Sequence, residues 1–270
     1  MVGQRQIADC DPSIFSIRSK TTTGDRRSLL RLQGIARARG PYTYLEIGSY
    51  LGGTLLPHVL DDRCKRIIAI DTRPPMSADI RGEKISYSDA STEAMLCTLR
   101  EKAGDKAIGK VITFDLDAAA VAKKGIPHLA DLAFIDGEHT NEATFDDFIS
   151  TLSMCKANAL IAFHDSNLIT DAILNCESLL RHEARTYRSY FLPDQVCALA
   201  IGSVIKTATP TLDPVALDRQ GFLDNAREYL RDQIIWRASR TRRLLKATGL
   251  LGPVRFARDK LRRSSVRHGR

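Results

Sequence analysis

No stretch of about 18 consecutive apolar residues occurs in the 270-residue chain, so the sequence offers no helix to span a bilayer. Residues 1–11 carry Arg5, Asp9 and Asp11 and lack an apolar segment of the kind a secretory signal needs, and the expectation is a cytoplasmic protein. Cysteine is sparse and scattered. Cys10, Cys64, Cys97, Cys155, Cys176 and Cys197 form no Cys-x-x-Cys pair and no Cys/His cluster, which excludes a zinc ribbon and a disulfide scaffold and leaves buried thiols as the expectation. Internal repeats and low-complexity segments are also missing. With 43% hydrophobic and 27% charged residues, the chain has the composition of a folded body of one large domain, or a domain with an appendage.

Charge is unevenly spread. Residues 227–270 hold 14 Lys or Arg against three acids, a net of +11 in a chain whose total is +8, so the preceding part carries −3. A near-neutral body with a cationic tail does not suit a nucleic-acid-binding domain, whose positive potential belongs around the groove itself. The tail has two readings: a solvated helix pair, or an amphipathic element with Trp236, Leu244, Leu245 and Phe256 among arginines. The second form would rest on an anionic membrane at its inner face, or hold a glycolipid-linked acceptor.

Between about residues 42 and 203 short β-branched runs alternate with helical patterns, the mark of βα units feeding a mostly parallel sheet. Strands are expected at 44–48, 66–71, 111–114, 133–136, 159–164, 185–191 and 196–202. The run Ile67-Ile68-Ala69-Ile70 is apolar on both faces, as a strand covered by helices on both sides should be. Helices are expected at 53–60, 91–103, 141–155 and 168–181. The last two strands follow each other closely, with Asp194 and Gln195 as the turn of an antiparallel hairpin. A helix over 25–39 precedes the sheet, with Leu29, Leu32 and Ala36 on one stripe. After the sheet, Leu223, Ala226, Leu230 and Ile234 mark an amphipathic helix continuing into 240–246, and a shorter piece follows Pro253. The expected architecture is α/β: a Rossmann-like, seven-stranded, mostly parallel sheet with helices on both faces. A helical cap (1–40) precedes the central domain (41–205), and a basic helical extension (206–270) follows it.

Three segments carry chemistry. In Tyr44-Leu45-Glu46-Ile47-Gly48-Ser49-Tyr50-Leu51-Gly52-Gly53-Thr54 a strand enters a glycine turn, which brings backbone N–H groups toward a ligand. The spacing Gly48-x-x-x-Gly52 is not that of the dinucleotide fingerprint, and the same residues also fit a purely structural turn. Asp71 ends the next strand, where a carboxylate can accept hydrogen bonds from ribose hydroxyls. Asp136 and Asp165 each end an apolar strand, and on neighbouring strands about 4.8 Å apart their carboxylates can meet at one cation. Oxygen ligands favour Mg²⁺ or Mn²⁺ over zinc. His139, three residues past Asp136, can face the same cavity as a general base, its ordinary pKa near 6.5 suiting the task. The bland reading makes the two acids helix caps and His139 a first-turn residue beside Thr140.

Residues 46–54 resemble the first motif of class I S-adenosylmethionine-dependent methyltransferases of the catechol O-methyltransferase type. That resemblance implies S-adenosylmethionine as cofactor, held by Glu46, Gly48, Ser49, Tyr50, Gly52, Thr54, Asp71 and Asp136. Gly48 and Gly52 would meet its methionine part, Thr54 its carboxylate, Asp71 its ribose and Asp117 its adenine end. The pair of segments around Asp136 and Asp165 is similar to bacterial O-methyltransferases that modify macrolide sugars and to the cephalosporin-hydroxylase-like group. By that likeness Asp136 and Asp165 would bind magnesium and His139 would be the base, while His164 stands where the family has a further acid. Strand alternation would turn His164 away from Asp165 unless the strand has already ended. The resemblance spans about residues 25–203.

His58, His128 and His182 are read as structural, and Pro74-Pro75 lacks the motif of nucleic-acid amino-methyltransferases. The expected activity is O-methylation of a sugar or other small-molecule hydroxyl, with no nucleic-acid partner and with self-association left open. A second reading is a cofactor-binding protein without catalysis, recruited to a surface by its tail.

Overall fold

A computed structural model describes residues 2–126 and 128–250. The chain divides into two compact units, Met1–Ala226 and Arg227–Arg270. In the first, a seven-stranded sheet is built from β1 (Tyr42–Ile47), β2 (Cys64–Ile70), β5 (Val111–Phe114), β6 (Ala130–Ile135), β7 (Cys155–Phe163), β8 (Tyr187–Phe191) and β9 (Cys197–Ile201), while β3 (Met76–Ala78) and β4 (Lys84–Ser86) form a separate small hairpin. The helices are α1 (Val2–Ala8), α2 (Thr23–Ala38), α3 (Leu56–Val59), α4 (Thr92–Ala103), α5 (Asp105–Ile108), α6 (Ala118–Lys124), α7 (Asn141–Met154), α8 (Thr170–His182), α9 (Val204–Leu212), α10 (Arg219–Ala238) and α11 (Arg240–Ala247).

The sheet order is β5-β2-β1-β6-β7-β9-β8. Its first five strands run parallel, and β9 is antiparallel to both neighbours. The chain leaves β1 toward β2 and β5, then returns to lay β6 on the other side of β1. That reversal opens a crevice at the C-terminal ends of β1 and β6, the place where open α/β sheets bind ligands.

Both faces are buried, as the apolar runs require. Tyr44, Ile67, Phe134, Ala162 and Ala198 share one core with Leu32 of α2 and Ala208 of α9. Residues one step along the strands, such as Ile68, Ile135 and Phe163, are buried as well, and Phe163 meets Phe148 of α7 with ring centroids 5.9 Å apart. His58 is structural, as expected: its ring stacks on Tyr44 at 3.6 Å, and burial holds its pKa down to about 3.

The strand expectations stand within a few residues, including the closing hairpin, where Asp194 adopts φ +67°. Other expectations are corrected. The helix expected over 53–60 shrinks to α3, because residues 51–55 form turns around Gly52 (φ +81°). Of the six cysteines only Cys64, Cys155, Cys176 and Cys197 are buried; Cys97 is exposed on α4 and Cys10 is partly so. Ile234 and Ile235 are about half exposed, so the apolar stripe of α10 is buried only at its start, with Leu223 and Ala226. α10 and α11 are separate helices that break at Ser239. The piece after Pro253 lies outside the described residues. Among the described residues no helix is long and apolar enough to cross a membrane.

Candidate active site

A cavity of about 430 Å³ occupies the crevice. Its floor is the turn after β1. Gly48 has φ +86°, and a Cβ there would lie 2.1 Å from the carbonyl oxygen of Asp136, so only glycine lets β1 and β6 approach this closely. Beneath the turn Glu46 is fully buried and accepts hydrogen bonds from the Tyr44 and Thr54 hydroxyls, both at 2.5 Å. Burial pushes its pKa up to about 8. Of the residues expected at the cofactor, Gly48, Ser49, Tyr50, Thr54, Asp71, Asp117 and Asp136 line the cavity. Glu46 and Gly52 stand behind its wall and support the turn.

Asp71, just past β2, accepts from the Tyr50 N–H at 2.9 Å and the Arg73 N–H at 2.8 Å. Arg73, which the sequence reading missed, is the fastener of this corner. Its guanidinium pairs with Asp71, donates to the Ser49 hydroxyl at 2.9 Å, and donates to the Tyr50 carbonyl. Asp117 caps α6 by accepting from the Ala120 N–H at 2.6 Å while still facing the cavity, so the cap and cavity placements coincide there. Above, the β3–β4 hairpin lends Met76, Ser77 and Ile85, and it is tied down by the bond from the Ile80 N–H to the His139 carbonyl at 2.9 Å. On the rim the Lys20 ammonium sits 3.9 Å from the centre of the Tyr87 ring, and Arg18 donates to the Tyr50 hydroxyl.

The deep wall is a four-residue cluster. Asp136 and Asp165 follow the paired strands β6 and β7, and one ligand atom from each of Asp136, His139, His164 and Asp165 lies within 4.8 Å of all the others. His139 is held between the two acids, Nε2 at 3.3 Å from Asp136 and Nδ1 at 3.0 Å from Asp165. Of the two alternatives the sequence left for His164, the one in which the strand has already ended holds. β7 ends at Phe163, and Asp165 turns into the left-handed region at φ +48°, which aims both side chains at the cluster. His164 Nδ1 lies 3.0 Å from Asp136 and 3.6 Å from Asp165, while its Nε2 faces Asp25 of α2 at 3.3 Å.

The charges are strongly coupled. Burial alone would lower the pKa of His139, but its two carboxylate partners outweigh that and push it up to about 9. His164 is likewise held well above its ordinary range by Asp136, Asp165 and Asp25 against the cost of burial. Asp165 stays well below the usual carboxylate range because the two imidazoles overcome its burial. Two histidines and two aspartates on one wall have the donor chemistry of a divalent-metal site, and the buried Nδ1 of His164 faces Asp136 and Asp165 without hydrogen-bond geometry to either. These residues fit a divalent cation, with an imidazole at His164 where the resemblance has an acid.

The chain is similar to several solved structures in fold plan. One is an O-methyltransferase structure from Klebsiella pneumoniae, 11% identical, over 74% of this chain and 90% of that one, with a TM-score of 0.47. A second is the O-methyltransferase TomG from Streptomyces achromogenes, involved in tomaymycin synthesis and solved with S-adenosylmethionine, at 14% identity, 74% and 90% coverage and a TM-score of 0.47. A third is an O-methyltransferase from Bacillus cereus in complex with S-adenosylhomocysteine, at 12% identity, 74% and 91% coverage and a TM-score of 0.45. No curated protein matches the chain. Residues 45–166 match the family described as Methyltransferase domain, and that segment holds the Gly48 turn, Asp71 and the whole cluster from Asp136 to Asp165. This part of the chain is similar to methyltransferase domains.

Proposed function

We propose that the protein methylates a hydroxyl oxygen on a sugar or another small acceptor, with help from a divalent metal ion. The observation that carries this reading is the cluster of Asp136, His139, His164 and Asp165 on the wall of the same cavity that the Gly48 turn and Asp71 line. S-adenosylmethionine, when bound, supplies a sulfonium-activated methyl group, and a divalent ion lowers the pKa of an oxygen that it touches. An aliphatic hydroxyl is a poor nucleophile at neutral pH, so the burden on the protein is to remove its proton and aim its lone pair.

Each residue has a part in that task. The Gly48 turn and Asp71 would hold the methionine and ribose portions of the cofactor, and Asp117, which also lines the cavity, would meet its adenine end. Asp136, Asp165 and His164 would hold the ion. His139 would take the acceptor's proton. While both carboxylates are uncompensated they keep His139 protonated, with its pKa up near 9. A cation held by those carboxylates would relieve that demand and leave His139 as the neutral imidazole a base requires. The turn lies in the floor and the cluster in the wall, so the acceptor would enter beside Lys20, Tyr87 and the β3–β4 hairpin.

We further propose that the basic tail meets an anionic surface, since Leu244 is exposed on α11 between Arg243 and Lys246. The central test combines calorimetric titration with S-adenosylmethionine and a transfer assay over a panel of hydroxylated acceptors. His139→Ala should lose at least about a hundredfold in turnover, the usual scale of a general base, while cofactor affinity stays within a factor of about three. Parallel loss of both would remove His139 from the role of base. Cofactor binding with no turnover on any acceptor would instead favour a non-catalytic binding protein.

A further inference from the structure

We infer that the metal site is built for a borderline transition ion, of the Fe²⁺, Co²⁺ or Zn²⁺ class, rather than for Mg²⁺, with His164 as a nitrogen ligand and Asp25 as the residue that positions it. This rests on the metal-assisted reading above and sharpens it.

Two buried residues, His164 and Asp25, fix each other's hydrogen-bond pattern. His164 is 3% exposed and Asp25 is 0% exposed, so every polar atom they carry needs a partner. Asp25 is satisfied as an anion: Oδ2 accepts from the Thr22 N–H at 2.7 Å and Oδ1 from the Gln195 N–H at 2.8 Å. Its Oδ2 also faces His164 Nε2 at 3.3 Å, and a carboxylate with no proton of its own demands that Nε2 carry the hydrogen. In the neutral ring that leaves a lone pair on Nδ1.

That same Nδ1 faces Asp136 at 3.0 Å and Asp165 at 3.6 Å without hydrogen-bond geometry to either. A carboxylate on the outer nitrogen of a metal-facing imidazole fixes both tautomer and ring orientation and raises the basicity of the inner nitrogen. The sequence separates these two residues by 139 positions, and the contact is made because α2, whose N-terminal capping box contains Asp25, packs where β7 ends.

Selectivity follows from donor type. Mg²⁺ prefers oxygen ligands and keeps several waters, whereas imidazole nitrogen suits Fe, Co, Ni and Zn. An acid at position 164 would make an all-oxygen site with the two aspartates; His164 makes a mixed one.

The test uses the full-length protein, stripped with chelator and dialysed, titrated calorimetrically with CoCl₂ and separately with MgCl₂. The expected wild-type preference for Co²⁺ over Mg²⁺ is at least about a hundredfold. His164→Asn places an amide oxygen where Nδ1 stood, and it should reduce that preference at least about tenfold without weakening Mg²⁺ binding. Asp25→Asn should weaken Co²⁺ binding by about 10–100-fold, the usual scale for an outer-shell partner, with Mg²⁺ binding little changed. Circular dichroism and thermal unfolding verify that each variant is folded. An unchanged preference in His164→Asn, or an unchanged Co²⁺ affinity in folded Asp25→Asn, overturns the inference. Equal affinity of the wild type for both ions overturns it while leaving the metal-assisted reading intact, and failure to bind either ion removes both.

Discussion

Gly48 and Glu46 show how much of the site is decided by single side chains. A methyl group at position 48 would meet the Asp136 carbonyl oxygen at 2.1 Å in a backbone conformation that L-residues avoid. Gly48→Ala should therefore cost about 2–4 kcal/mol of stability and at least about tenfold in cofactor affinity, readable by urea unfolding and calorimetry. Gly52→Ala should be milder. Both share the positive-φ strain, but the Gly52 Cβ would meet only side chains, Met95 Cγ at 3.0 Å and Leu99 at 3.1 Å, which can yield where a backbone cannot. An equal loss at both positions would refute the assignment of Gly48 to the close approach.

Glu46 makes a prediction about pH. Its folded pKa, near 8, exceeds its ordinary value of 4.5, so the folded state holds the proton more tightly. The resulting stability is fully present below about pH 4.5 and is lost as pH rises through 8, amounting to a few kcal/mol. Glu46→Gln, neutral throughout, should flatten that decline between pH 5 and 8.5 in urea unfolding; an unaltered slope would show that Glu46 is ionised in the fold.

At this scale the sequence was partly legible. Gly48, Asp71, Asp136, His139 and Asp165 stand at strand ends, where a linear pattern reveals them. Arg73 and Asp25 carried no such mark, because their roles come from contacts with Ser49 and His164 that no local spacing encodes.

Among the elements, α2 links the N-terminal segment to the cluster. Thr22 caps it, accepting from the Asp25 N–H at 3.1 Å, while the Asp25 carboxylate returns a bond to the Thr22 N–H. Thr22→Ala should destabilise the protein by about 1 kcal/mol, the usual cost of a lost cap. It should also weaken metal binding, because the cap holds Asp25 beneath His164; stability loss with full metal affinity would uncouple the two. The helix is legible from its apolar stripe, but it begins at Thr23, two residues before the expected start, since the box Thr22-x-x-Asp25 lies ahead of the stripe. The β3–β4 hairpin was not legible at all. Its strands are three residues each, too short for alternation to show, yet it covers one side of the cavity.

For the whole molecule, charge and topology set the two units apart. The seven-stranded sheet was readable because buried parallel strands are apolar on both faces, and the site follows from where the strand order reverses. The tail was readable only as charge: residues 227–270 carry +11. If it meets an anionic surface, vesicles containing about 30% phosphatidylserine should retain the protein at low salt and release it as screening rises. A variant with Arg243 and Lys246 changed to Gln and Leu244 to Ser should bind those vesicles several-fold more weakly while keeping wild-type affinity for S-adenosylmethionine. Unchanged retention would make the tail a solvated appendage.

The central question is whether methyl transfer runs through the cluster where β6 and β7 end. The most direct measurement is transfer of labelled methyl from S-adenosylmethionine to a hydroxylated acceptor, in untreated protein, after chelation, and after adding back a divalent ion. The account predicts incorporation that chelation reduces at least about tenfold, that the ion restores, and that Asp165→Ala no longer regains. Incorporation indifferent to chelator and to the loss of Asp165 would contradict it.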